Sequence, residues 1–198
     1  MPPLLSFLGI TLLAIACSAY PNRQKPGGYD ANSDALAHFI RDVRKVLKSP
    51  HLPFAIGVLG VGGAKPNDHT VEFRKAMAVP AAMPEIRGNV VVVQTAPFWS
   101  EELVAIANKY NRVRLRGFHL NSKHKRHANA DGSMSDKEKR GYLENYEAKI
   151  NSTAEAAMWK RGASNAGHHY LGSAKTFALM GRRFAETNLS ILKEQGKR

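Results

Sequence analysis

Phe54-Ala-Ile-Gly-Val-Leu-Gly-Val61 is an apolar run closed by Gly62-Gly63, and Asn89-Val90-Val91-Val92-Val93-Gln-Thr-Ala96 is a second such run. Continuous apolar runs of this length, rather than alternating ones, predict strands buried on both faces, as in a parallel sheet. Upstream of the first, Leu36, Phe39, Ile40, Val43, Val46 and Leu47 recur at helical spacing, with Arg41, Arg44 and Lys45 off the stripe. Asn32 or Ser33 would cap that helix and Ser49-Pro50 would stop it. Helical patterns over 70–83 and 100–110 follow the two runs. Strands alternating with helices predict an α/β fold.

Beyond residue 110 the pattern is less regular. Val113 and Leu115 alternate with Arg112, Arg114 and Arg116, as a strand would or as a basic helix continuing. His119 to Ser135 is polar and reads as a loop. Asp136 to Lys160 reads as one long charged helix. A last helix from Ser173 to Leu192 sets Phe177, Met180, Phe184 and Ile191 on one side, with Asn188 interrupting the stripe. Two clear strands are few for a doubly wound sheet, so an incomplete sheet is expected.

The chain has 198 residues, 43% of them apolar, and a formal charge of +13. That length suits one domain with a short appendage. A single cysteine excludes an internal disulfide framework and any Cys-rich zinc cluster. The first charged side chain is Arg23. Leu4 to Cys17 is almost wholly apolar and too short to span a bilayer as a helix, which needs about 20 residues. It has the length of a signal-peptide core followed by Ala14-Ile15-Ala16, although Met-Pro-Pro supplies no basic n-region. Residues 1–19 are therefore expected to be an export leader, or a lipoprotein leader with Cys17 acylated. Residues 20–198 form the domain, periplasmic or secreted. Pro21 to Tyr29 reads as an exposed loop.

Several constellations bear on function. Gly57, Gly60, Gly62 and Gly63 match neither a dinucleotide fingerprint nor a Walker loop. They suit a backbone turning at the carboxyl edge of the sheet, where α/β ligand sites lie. Residues 109–127 hold seven Lys/Arg, three His and no acid, which would attract a polyanion. No nucleic-acid module accompanies them, and nucleic acid is not the expected partner. His119, His124 and His127 with Asp131 fit no zinc spacing, so no metal site is assigned. Asn151-Ser-Thr and Asn188-Leu-Ser match the glycosylation pattern on segments expected to be helical. His168 and His169 stand in a glycine-flanked loop just before the last helix, a position suited either to a catalytic base or to a helix cap.

His169-Tyr-Leu-Gly-Ser-Ala-Lys-Thr, with Gly181 and Phe184-Ala185-Glu186 beyond it, resembles the closing motif of the sialate O-acetylesterase-like carbohydrate esterases of the SGNH hydrolase superfamily. The resemblance extends through Phe73-Arg-Lys-Ala-Met, Val90 to Trp99, Phe54 to Gly63 and Tyr20 to Leu47. It implies a three-layer α/β/α sandwich with a parallel sheet, incomplete here because the family's N-terminal strands are missing. It implies hydrolysis of acetyl esters on sugars by a Ser/His mechanism without a cofactor. His169 would be the base, with His168 the weaker choice, and the acetylated carbohydrate would lie near Gly62 and Trp99. The family's serine block, Gly-Gln-Ser-Asn, is not in this sequence. Gly162-Ala-Ser164-Asn165 copies its shape but on the wrong loop. The superfamily's acidic partner would fall on Ala166 for His169, or on Asn165 for His168, and neither is a carboxylate. Two other readings stand beside this one: a non-catalytic remnant or glycan-binding module, and a basic polyanion-binding protein. Membrane contact is expected only through the leader or a lipidated Cys17.

Overall fold

The computed structural model describes residues 10–12, 28–86 and 88–196. The cleavage signal at 14–16, Cys17 and most of the Pro21 to Tyr29 loop lie outside the described residues. Chain contacts define two units, residues 1–99 with 176–198, and residues 100–175. The fold is α/β, mostly helical with a small parallel sheet. Among the described residues no helix is long and apolar enough to cross a membrane.

The first unit is built around a parallel sheet of order β1-β2-β3: β1 (Ile10–Leu12), β2 (Phe54–Val58) and β3 (Val90–Gln94). Phe54 pairs with Val90 and Val58 with Gln94, while Ile10 to Leu12, inside the expected leader, pair with Phe54 to Ile56. All of β2 is buried, as a strand with both sheet faces covered is. The expectation that β3 is buried on both faces is corrected. Only Val90 and Val93 are buried, and Val91 is 37% exposed. β3 is the last strand of the sheet among the described residues, and its side chains are covered unevenly.

Helix α1 (Asp30–Val46) starts earlier than the Asn32 or Ser33 cap predicts, with Tyr29 at the cap position. Ser33 lies inside the helix, and its hydroxyl donates to the Ala76 carbonyl at 2.8 Å. The buried stripe is Ser33, Ala37, Ile40 and Arg44. Ile40 and Ala37 pack with Leu52, Phe54, Ile56, Ile86 and Val90, and Leu36 and Val43 border that core. Phe39, Val46 and Leu47, expected on the stripe, are exposed, whereas Arg44, expected off it, is 7% exposed. The helix is rotated because its buried guanidinium finds partners beside the sheet.

Helix α2 (Asp68–Ala78) is capped by Asn67, whose side chain accepts from the Thr70 amide at 2.9 Å. It tightens into a 3₁₀ turn over Val79–Ala82, where Pro80 has no N–H to extend an α-helical ladder. A second 3₁₀ turn, Ala96–Phe98, follows β3.

In the second unit, α3 (Glu101–Asn121) settles the 111–118 ambiguity as helix, capped by Ser100. The single helix expected over Asp136 to Lys160 is two, α4 (Asp136–Ile150) and α5 (Thr153–Gly162). Asn151 is extended, and Ser152 opens α5 with a capping box closed by Glu155, as Ser135 and Glu138 do for α4. Tyr110 stacks on Trp159 at 4.9 Å, and Lys109 pairs with Glu155, so α3 and α5 are tied.

After a 3₁₀ turn at Gly167–Gly172 comes α6 (Ala174–Gln195). It buries Thr176, Met180, Phe184 and Ile191. Phe177, expected among them, is 40% exposed, and Thr176 takes the inward position, its hydroxyl donating to the Phe98 carbonyl at 3.1 Å.

Candidate functional site

The Gly167–Gly172 turn owes its shape to backbone bonds that converge on few acceptors. The amides of Ser164 and Asn165 both donate to the Leu171 carbonyl, at 2.8 and 3.0 Å. Those of His169 and Leu171 both donate to the Ala166 carbonyl, at 3.0 and 3.1 Å. Tyr170, Leu171 and Gly172 then run consecutively through left-handed backbone, with φ of 53°, 57° and 63°. For non-glycine residues such a conformation costs about 1–2 kcal/mol each. Burial of the Tyr170 and Leu171 side chains, 6% and 4% exposed, offsets that cost.

The same geometry turns His168 and His169 to the surface. Their rings meet edge to face, with centroids 4.1 Å apart, and both side chains are exposed. An imidazole so held can accept or deliver a proton. Among the described residues no carboxylate forms an ion pair with either ring. Ser164 and Asn165 are brought to the same turn but serve its backbone: the Ser164 hydroxyl donates to the Gly172 carbonyl at 3.0 Å, and Asn165 Oδ1 accepts from the Ala166 amide at 2.7 Å. Neither side chain hydrogen-bonds an imidazole.

Gly62 and Trp99 belong to the first unit, beyond the carboxyl ends of β2 and β3. The glycine segment is a tight turn: the Gly63 amide donates to the Gly60 carbonyl at 2.9 Å, with φ of 94° at Gly62 and 54° at Gly63. Arg74 of α2 grips it, donating to the carbonyls of Leu59, Val61 and Gly63 at 2.7, 3.2 and 3.1 Å. Thr95 closes the adjacent strand end, its hydroxyl donating to the Val58 carbonyl at 2.6 Å. Trp99, half-buried, ends the turn after β3. Sequence reasoning passed over Arg74 and Thr95; the signal for Arg74 was a lone arginine on the helix that follows a glycine turn.

The basic stretch 109–127 occupies the later part of α3 and the loop after it. His119, His124 and His127 come together there, with ring centroids 4.2 to 5.0 Å apart. Arg116 Nη1 donates to His127 Nδ1 at 3.2 Å. Desolvation, followed by the neighbouring His119, Arg116 and His124, lowers the His127 pKa below its ordinary value. Asp131 is committed to the amide and hydroxyl of Ser133. Among the described residues no group of three His, Cys, Asp or Glu side chains is arranged to hold a metal ion.

Asn151 of the first glycosylation match is 8% exposed at the α4–α5 break, and Ser152 is used as a cap. A buried amide is a poor glycan acceptor. Comparisons with protein-family models, with curated proteins and with solved structures find no match to this chain.

Proposed function

We propose that this chain carries the histidine-bearing part of a carbohydrate O-acetylesterase of the sialate type, on the three-layer α/β/α sandwich of the SGNH superfamily. His169 is the general base and His168 its weaker alternative. The family's serine block, Gly-Gln-Ser-Asn, is not among these 198 residues, and the labelling below asks whether a serine of this chain takes its place. In the proposed reaction the imidazole takes the serine hydroxyl proton as the oxygen attacks the acetyl carbon. The sugar oxygen leaves with a proton, and water then releases acetate from the acyl-enzyme. The partner is an acetylated carbohydrate met outside the cytoplasm.

The observation that supports this reading is the Gly167–Gly172 turn. It holds two successive residues in left-handed backbone and buries their side chains, while the imidazoles just before them stay exposed, their rings meeting edge to face. Strain kept at a site that exposes a proton-transfer group accords with a functional constraint.

The test is fluorophosphonate labelling of the folded chain with peptide mapping, run beside ligand-observed NMR with an O-acetylated sugar and its deacetylated counterpart. A labelled serine that disappears in His169→Ala supports Ser/His chemistry within the chain. Preference for the acetylated sugar, weakened in His169→Ala and without labelling, supports the histidine part acting with a serine from elsewhere. The absence of both labelling and preference would overturn the reading.

A further inference from the structure

A cavity of about 670 Å³ opens in the first unit, walled in part by Arg44, His51, Glu85, Asn89 and Gln195. It lies by the amino ends of β2 and β3, since His51 and Asn89 just precede those strands. That is the sheet edge opposite the Gly60 to Gly63 turn.

Its wall holds one arginine and one glutamate, and the two are not paired with each other. Arg44 is 7% exposed, yet no carboxylate pairs with it among the described residues. Its Nε and Nη2 donate to the Leu52 carbonyl at 3.1 and 3.0 Å, and Nη2 also meets Asn89 Oδ1 at 2.5 Å. Nη1 has no hydrogen-bond partner among the described residues. Burial draws the guanidinium pKa below its ordinary value. Glu85, the acid in the cavity wall, is taken by Arg41. A buried cation without a counter-ion is costly, and it favours whatever anion can reach it.

A second donor stands beside it. A guanidinium has only donors, so Asn89 must present its oxygen to Arg44, and its Nδ2 is left as a donor. Gln195 Nε2 donates to the His51 carbonyl at 2.9 Å, tying the end of α6 to the loop beside the cavity.

We infer that this cavity binds a small oxyanion, the carboxylate or phosphate of a small molecule, with Arg44 Nη1 and Asn89 Nδ2 as its donors. The site is independent of the histidine turn. A charged N–H donor bonds either anion, planar or tetrahedral.

The test titrates the full chain with sodium acetate and, separately, with sodium phosphate, sodium chloride holding ionic strength constant, and reads the amide spectrum and the melting temperature. Saturable shifts at Asn89 and the Arg44 side chain are expected in at least one series, with a dissociation constant of about 1 mM or tighter. The stronger series identifies the carboxylate or the phosphate source. Arg44→Lys should weaken binding at least about tenfold, because a single ammonium has no separate Nη1 arm to offer the anion beyond the Leu52 and Asn89 oxygens. Asn89→Asp supplies Arg44 with an internal counter-ion. It should raise the melting temperature and abolish the anion response, and it serves where Arg44→Lys fails to fold. Anion series that match chloride, or Asn89→Asp binding as tightly as the parent, would overturn the inference.

Discussion

Gly60 and Thr95 touch beyond the carboxyl ends of β2 and β3, so closely that a Cβ on Gly60 would lie 2.5 Å from the Thr95 carbonyl carbon. The same Cβ would sit 2.6 Å from the threonine hydroxyl, which is engaged with Val58. The obstruction is backbone, which cannot swing aside as a flexible side chain would. Gly60→Ala is therefore expected to destabilise the first unit by about 1–3 kcal/mol, as overpacking does. Gly141 is the opposite case, a glycine inside α4 whose Cβ position meets nothing within 4 Å among the described residues beyond its own helix backbone and chain neighbours. Gly141→Ala should stabilise by about 0.5–1 kcal/mol through helix propensity alone. Urea denaturation of both variants reads the two signs, and equal signs would refute this account of the glycines.

Arg74 makes three carbonyl bonds to the glycine turn, where a smaller donor would reach fewer. Hydrogen bonds to a charged group contribute about 1.5–3 kcal/mol each when isolated, and less when they share one side chain. Arg74→Ala should therefore release residues 59–63. Hydrogen exchange at the Gly63 and Lys65 amides, both bonded within the turn, should accelerate at least about tenfold while the β2 amides stay protected. Unchanged exchange at Gly63 would show that the turn holds without the arginine.

Asn151 carries a buried amide whose oxygen and nitrogen both lack partners among the described residues. Its backbone amide ends α4 by donating to Glu147, so the residue's structural work is done by the main chain. An unsatisfied buried polar group costs about 1–3 kcal/mol, and an apolar replacement of similar size removes that cost. Asn151→Leu should stabilise the second unit by about 1 kcal/mol, read as a rise in urea midpoint. A loss of stability would mean that the amide has a partner in solution, such as a bound water.

The sheet was legible where one physical cause acts alone. Phe54 to Val58 is buried on every side, so an unbroken apolar run announced it. Reading failed where polar side chains take the inward position. Arg44 and Ser33 lie on the buried stripe of α1 because each finds a carbonyl there, and a hydropathy pattern cannot anticipate such partners. The α4–α5 break was readable in principle, since Ser152-Thr-Ala-Glu155 is a capping box, but a continuous run of charge and helix formers masked it. Of the site, the histidine turn before the last helix was visible from Gly167 and Gly172. The left-handed Tyr170 and Leu171 were not, because nothing in those residue types favours that backbone.

Glu155 joins two interactions that require its charged form. The Lys109 ammonium comes first and the Ser152 amide second, and together they lower its pKa from 4.5 to about 2. A carboxyl whose folded pKa is depressed contributes stability that is complete above its unfolded pKa and is lost as pH falls through the folded value. Here that window runs from about 4.5 down to about 2. The protonated group gives up both the pairing of α3 with α5 and half of the capping box, so the start of α5 should loosen first. Carboxyl NMR should place the Glu155 midpoint near 2 in the parent chain. Lys109→Met removes the larger cause and leaves the cap, so the midpoint should move up toward 4.5 without reaching it, and acid loss of the α5 amides should begin at higher pH. If Glu155 titrates near its ordinary value in both proteins, the ion pair does not tie α5 to α3 in solution.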